Sequence, residues 1–364
     1  QSPPGHRHGG AGDAGRMSMG QWVNLGIRAD DTSGRAWVCT PRRLADDQIY
    51  LFSGTTNGTS HLQIWDSVAE HWRMVKRGRA GREELAFSDP GATVPAGTDN
   101  GHAVWDAVAD ELWVNVVNPW RTQLGNPTVP AIYMPATNSW RPVTLAEFPS
   151  YDFEGSGGSQ TLDRIFNAGV ASNPRWMVLY GGSKLGASSH LWTFDGLNRR
   201  WRKWVNHGDG VGRPGRMTNI QAQLEWIPIL GRFLLYHAQA VWTLAPDSWT
   251  WTAALTRGSP PPQSQGTGAK LLGDRYVAVF GGSAITVLDL ETWQWSPVRL
   301  DGSAPARSNA VFWSAFGHLY QAWGTGLPYP ADREIWVFRD ILAHLEVPRS
   351  LAVPLTLEAR FSYD

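Results

Sequence analysis

The chain has 364 residues, 42% of them hydrophobic, and its Lys+Arg and Asp+Glu totals balance at 32 each. That balance argues against a nucleic-acid or membrane-surface role, either of which calls for a basic excess. No apolar run approaches the roughly 18 residues of a membrane span, and a single cysteine, Cys39, excludes an internal disulfide.

Residues 1–20 are glycine-rich, lack an apolar period and read as a tail. His6 and His8 within it read as solvated side chains. The chain opens on Gln1, as a secreted protein does after loss of a signal peptide, and Asn57-Gly58-Thr59 is a glycosylation sequon in a predicted loop. Secretion is therefore the expectation. QWVNLG (Gln21 to Gly26) reads as a lone strand, the outer strand of a unit that has lost its other three.

One figure then recurs six times. IYLFSG leads to Trp65 and, seven residues on, Trp72; ELWVNVV leads to Tyr133 and Trp140; WMVLYGG leads to Phe194 and Trp201. FLLYHA leads to Leu244 and Trp251, and YVAVFGG to Leu288 and Trp295. The sixth copy, LYQAWG, leads to Phe338, with Leu345 in the place of the tryptophan. The offset of seven is fixed, while the spacing between copies runs from 44 residues (Leu244 to Leu288) to 68 (Trp65 to Tyr133). A fixed turn inside each unit and variable loops between units produce that pattern.

The units resemble kelch repeats: a glycine doublet (Gly181-Gly182, Gly281-Gly282) ending the second strand, an aromatic in the third, a tryptophan opening the fourth. The resemblance covers roughly residues 35–345 and implies an all-β, six-bladed kelch-type β-propeller of four-stranded antiparallel blades. The propeller is placed at residues 21–348, with 349–364 as a further strand or extension. Because the sixth unit lacks its tryptophan and Trp22 has no unit of its own, Gln21 to Gly26 is expected to close the ring as the outer strand of blade six.

Antiparallel strands alternate direction, so loops joining strands two and three emerge on the same face as the loops joining blades. Nearly all the long loops fall in that set: 77–101, 118–130, 145–163, 206–215 and 325–334. The connections between strands three and four are tight, so the opposite face is plain. Binding residues are expected on the loop-rich face. Arg164 with Asn167, Arg216 with Asn219, and Arg307 with Asn309 fall where the innermost strands begin, and Asp99 and His102 occupy the matching place in blade two. Tyr151, Asp152 and Glu154 belong to a neighbouring loop. The arginines either clamp loops through carbonyls and carboxylates or form a cationic ring suited to a sugar or a carboxylate.

No catalytic motif stands out. Asp152 and Glu154, or Glu83 and Glu84, are the carboxylate pairs available for glycoside chemistry. His207 and Asp209 are half a metal site without a third ligand, and neither a metal nor a cofactor is indicated. Kelch-like propellers include copper-radical oxidases resembling galactose oxidase. Cys39 falls where their crosslinked cysteine would be, but KRGRAGREE (Lys76 to Glu84) has no tyrosine to match, which makes copper chemistry improbable. The expected function is a binding or scaffold protein taking carbohydrate or a protein partner at the loop-rich face. The alternative is a carbohydrate-active enzyme (epimerase, lyase or hydrolase) with its site on the same face, at the mouth of the propeller's central channel.

Overall fold

The computed structural model describes residues 20–27, 40–54, 60–77, 103–114, 131–143, 169–181, 189–217, 223–262, 268–281, 284–302, 311–322 and 334–345. The expected tail, the C-terminal extension, Cys39, the sequon and Glu83-Glu84 lie outside these residues. The strands are β1 (Trp22–Ile27); β2 (Tyr50–Gly54), β3 (Ser60–Asp66) and β4 (His71–Arg77); β5 (Ala103–Asp106), β6 (Glu111–Val114), β7 (Ala131–Met134) and β8 (Ser139–Pro142). They continue with β9 (Gly169–Ser172), β10 (Trp176–Tyr180), β11 (Leu191–Asp195) and β12 (Arg200–Trp204), then β13 (Gln223–Ile227), β14 (Arg232–His237), β15 (Ala240–Ala245) and β16 (Thr250–Ala254). The last are β17 (Gly268–Leu272), β18 (Tyr276–Gly281), β19 (Ala284–Asp289) and β20 (Gln294–Pro297), with β21 (Val311–Ala315), β22 (His318–Ala322) and β23 (Glu334–Phe338).

These strands form six antiparallel sheets, the blades of a six-bladed all-β propeller. Blade six has the order β1-β23-β22-β21, so the N-terminal strand closes the ring as expected. Blade one differs from the four-strand expectation within the described residues. It has three strands, and its innermost position is represented by the Arg42–Ile49 bridge and the hydrogen bond from Tyr50 N to Pro41 O.

The offset of seven has a geometric origin. In blade one Asp66 and His71 are the pair that closes a four-residue turn, and Trp65 and Trp72 are the next pair outward. Tyr133–Trp140, Phe194–Trp201, Leu244–Trp251 and Leu288–Trp295 repeat it. The aspartate before several turns fixes their start: Asp66 Oδ1 accepts from the backbone N–H groups of Val68 and Ala69, and Asp195 and Asp289 do likewise. In blade six, Trp22 stands opposite Phe338 in the same register, filling the place the sixth repeat left to leucine.

Each blade alone has two apolar faces and cannot bury them. Six apolar clusters form, one between each neighbouring pair of blades. In the cluster between blades six and one, Trp65 and Trp72 each lie 5.0 Å from Trp313, which stacks on Tyr320. A buried indole removes roughly 200 Å² from water, on the order of 5 kcal/mol by area.

Candidate functional site

On the loop-rich face, the best-described stretch is the connection between blades three and four, residues 205–217 (VNHGDGVGRPGRM). Its glycines let it lie against the sheet. Gly208 sits on Tyr180, and an added Cβ would collide with the phenol oxygen. Gly181, the first of a glycine doublet, has φ +70°, and a Cβ there would collide with Met217, so only glycine allows this close approach.

Backbone and side-chain bonds pin the loop along its length. Gly208 N donates to Ser189 O at 3.0 Å and Gly215 N to Gly208 O at 2.9 Å. The Tyr180 hydroxyl donates to Gly215 O at 2.6 Å, and burial pushes that phenol's pKa well above its usual value. Asn206 N donates to His190 Nδ1, and the Trp251 indole donates to His207 Nδ1, both at 3.0 Å. Arg213 Nη1 donates to the His207 carbonyl at 3.0 Å. Burial and the nearby Arg213 hold His207 below its ordinary value, so its ring is neutral near pH 7 with Nδ1 accepting.

The loop presents Val211, Arg213 and Arg216 to solvent. Arg216 is 61% exposed and faces Asp209 on the same loop, with Nη2 3.1 Å from Oδ2. The pairing raises the guanidinium and lowers the carboxyl, but an ion pair this open to water is screened and weak. Arg216 lies seven residues before the described start of the innermost strand β13. Beneath it is His237, whose ring hydrogen-bonds the Arg216 backbone while its Nδ1 is buried without a hydrogen-bond partner. Burial lowers the pKa of His237 and keeps it neutral. His237 begins the two-residue turn Ala238-Gln239, in which both residues have positive φ (51° and 61°) and neither is glycine. Such turns favour Asn-Gly, so this one stores strain beside the arginine.

Of the other sequence-derived candidates, Asp99, His102, Tyr151, Asp152, Glu154, Arg164, Asn167, Asn219, Arg307 and Asn309 lie outside the described residues. His207 and Asp209 are engaged separately, by Trp251 and by Arg216. Among the described residues no three His, Cys, Asp or Glu side chains cluster as metal ligands. What the arrangement offers is two exposed guanidiniums on a fixed backbone beside neutral imidazoles, a set suited to carboxylates and hydroxyls.

Two polar features escaped the sequence. Lys270 and Glu225 form a 2.7 Å ion pair between neighbouring innermost strands. On the plain face, the last residue of each four-residue turn between strands three and four is left-handed: Glu70, Asn138, Arg199, Trp249 and Trp293. Four of them reach the preceding blade. Arg199 pairs with Asp106 and Glu111, Glu70 with Arg339, Trp249 lies edge-on to Trp176, and Trp293 joins the apolar cluster of blades four and five. Their common signal is a position two residues before the repeat tryptophan, visible only once the turn geometry is known.

No family model matches the chain, and no curated protein matches it in sequence.

Proposed function

We propose that this chain is a binding or scaffold propeller with degenerate kelch repeats, whose ligand docks on the loop-rich face between blades three and four. The observation that carries the proposal is the 205–217 loop, pinned from Asn206 to Gly215 yet holding Arg216 and Arg213 at the surface. A backbone fixed in advance spares the ligand the ordering cost of a mobile loop. The strained Ala238-Gln239 turn and the buried, unpartnered Nδ1 of His237 beneath Arg216 add support, since such features persist where function selects them. The ligand class that fits is an acidic carbohydrate or a carboxylate-bearing protein segment, held by charge-assisted bidentate contacts. An extracellular setting belongs to the same proposal and rests on the Asn57-Gly58-Thr59 sequon.

A glycan array with uronic-acid and sialic-acid probes, run beside a turnover screen on the hits, tests this reading. Arg216→Ala is expected to abolish binding of acidic glycans while leaving the melting temperature within about 1 °C, as for a surface substitution. An equal loss of stability, or undiminished binding, overturns it. Turnover of a bound glycan would move the protein to the enzyme class.

A further inference from the structure

The face opposite the long loops is plain in backbone and unusual in side chains. Of the ten exposed large hydrophobic residues among the described ones, six sit in its turns: Leu44, Val68, Val108, Leu197, Ile229 and Phe316. They come from five of the six blades. Val68 is 97% exposed, Phe316 80%, Leu197 63% and Ile229 60%. Single exposed apolar side chains need no explanation, but a set gathered on one face does. Turn chemistry makes it more pointed, because these positions ordinarily go to Gly, Asn, Asp or Ser. Phe316 stands in the left-handed region at φ +50°, a conformation costly for a bulky residue, and buries little of its ring in return.

Charge identifies what would cover such a face. The connections that make it up carry eight carboxylates against five arginines: Arg43, Arg175, Arg199, Arg275 and Arg339. Each of those arginines is already tied to a carboxylate of the protein. The charge left over is acidic, with Asp247, Asp274 and Asp340 spread over blades four, five and six. We infer that the plain face is a second docking surface, for a segment of another protein in which Lys or Arg alternates with apolar anchors. A second copy of this chain presenting the same face would set carboxylate against carboxylate, and anionic lipid or nucleic acid would meet the same repulsion.

The test uses the full chain and three synthetic peptides of equal length, followed by fluorescence anisotropy: an amphipathic Leu/Lys peptide, its Leu/Glu counterpart and a Ser/Lys control. The Leu/Lys peptide should bind at least about tenfold more tightly than either of the others. Binding should weaken as NaCl rises from about 0.05 to about 0.5 M, because the charged part is screened. The fourfold variant Val68→Ser, Leu197→Ser, Ile229→Ser, Phe316→Ser should lose about tenfold in affinity for it. Asp247→Asn, Asp274→Asn and Asp340→Asn together should weaken it as well, which reads the charge half should the first variant fold poorly. Arg216→Ala, on the other face, should change nothing, so this surface and the loop-face site stand or fall separately. Equal binding of the Leu/Lys and Leu/Glu peptides, binding by Ser/Lys as tight as by Leu/Lys, no binding, or unchanged affinity in both turn variants would overturn the inference. So would self-association in sedimentation that the serine variant removes, or binding to neutral phosphatidylcholine vesicles.

Discussion

Glu70 shows how much a single turn residue does in this ring. It ends the turn between β3 and β4 in a left-handed conformation, accepts bidentate bonds from Arg339 at 2.8 and 2.7 Å, and takes the Tyr320 hydroxyl at 3.0 Å. Burial pushes its pKa up, but the bonds from Arg339 and Tyr320 outweigh burial and leave it below the ordinary 4.5. A depressed carboxyl contributes stability that is complete above its unfolded value and lost as pH falls through its folded one. Glu70→Gln is therefore expected to cost about 1–2 kcal/mol at pH 7, from weakened bonds to a buried phenol and a guanidinium. The difference in melting temperature between wild type and variant should shrink as pH drops below about 4.5. A constant difference down to about pH 3 would mean that Glu70 acts through shape alone. Asp106 has the opposite sign, since burial raises it in spite of Arg199. At this scale the sequence was least informative. Arg216 and the nearby carboxylate Asp209 are both readable from the sequence, whereas His190 and His237 beside that loop and the left-handed turn residues depend on turn geometry that the residue letters do not encode.

Strands and turns were far more legible. The seven-residue offset is a property of an antiparallel pair across a four-residue turn, so it survives any change in loop length between blades. Trp22 and Leu345 together gave away the closure, because a blade without its tryptophan leaves a gap that an unassigned tryptophan strand can fill. The structure fills it in register: Trp22 is opposite Phe338, with ring centroids 5.6 Å apart, and packs with Leu319 and Ile341. A bulge between Asn24 and Gly26 lets the rest of β1 follow β23, with Gly26 at φ +76° and Asn24 Oδ1 accepting its N–H. Blade one is expected to open near residue 35, on the apolar run AWVCT; most of that run lies outside the described residues, and within them only the Arg42–Ile49 bridge stands in the innermost place. Replacing Trp22 by Ala should cost about 3–5 kcal/mol, since a buried indole leaves a cavity that neighbouring blades hold open. Val23→Ala, one residue away and 43% exposed, should change stability by less than about 0.5 kcal/mol. Chemical denaturation of the two variants separates the readings. Equal small effects would show that β1 is an ornament on blade six.

The whole ring is fastened at one place by its two ends. Gly20 pairs with Leu300 and Leu345 with Val298, so the entry and the exit of the propeller both rest on the segment between blades five and six. Residue 299 holds both: its N–H donates to His344 O at 3.0 Å, and its carbonyl accepts from Gly20 N at 3.0 Å. Asp301 N returns a bond to Gly20 O at 2.8 Å, and a side chain at Gly20 would collide with Phe338 and His344. Ends held this close can be joined without moving the blades, because six residues span up to ~20 Å. A backbone-cyclised form of residues 20–345 with a six-residue Gly/Ser linker should fold with the same near-ultraviolet circular dichroism as the linear form of the same residues. It should also melt higher, because the unfolded ring loses chain entropy that the linear chain keeps; the gain for a loop this long is on the order of a few kcal/mol. Val298, Leu300 and Leu345 pack in the cluster between blades five and six, so this fastening lies inside a core and not at a frayed edge. A cyclised protein that melts lower than its linear counterpart would show that the linker strains the ends, and that the pairing at residues 298–301 does not hold the ring shut.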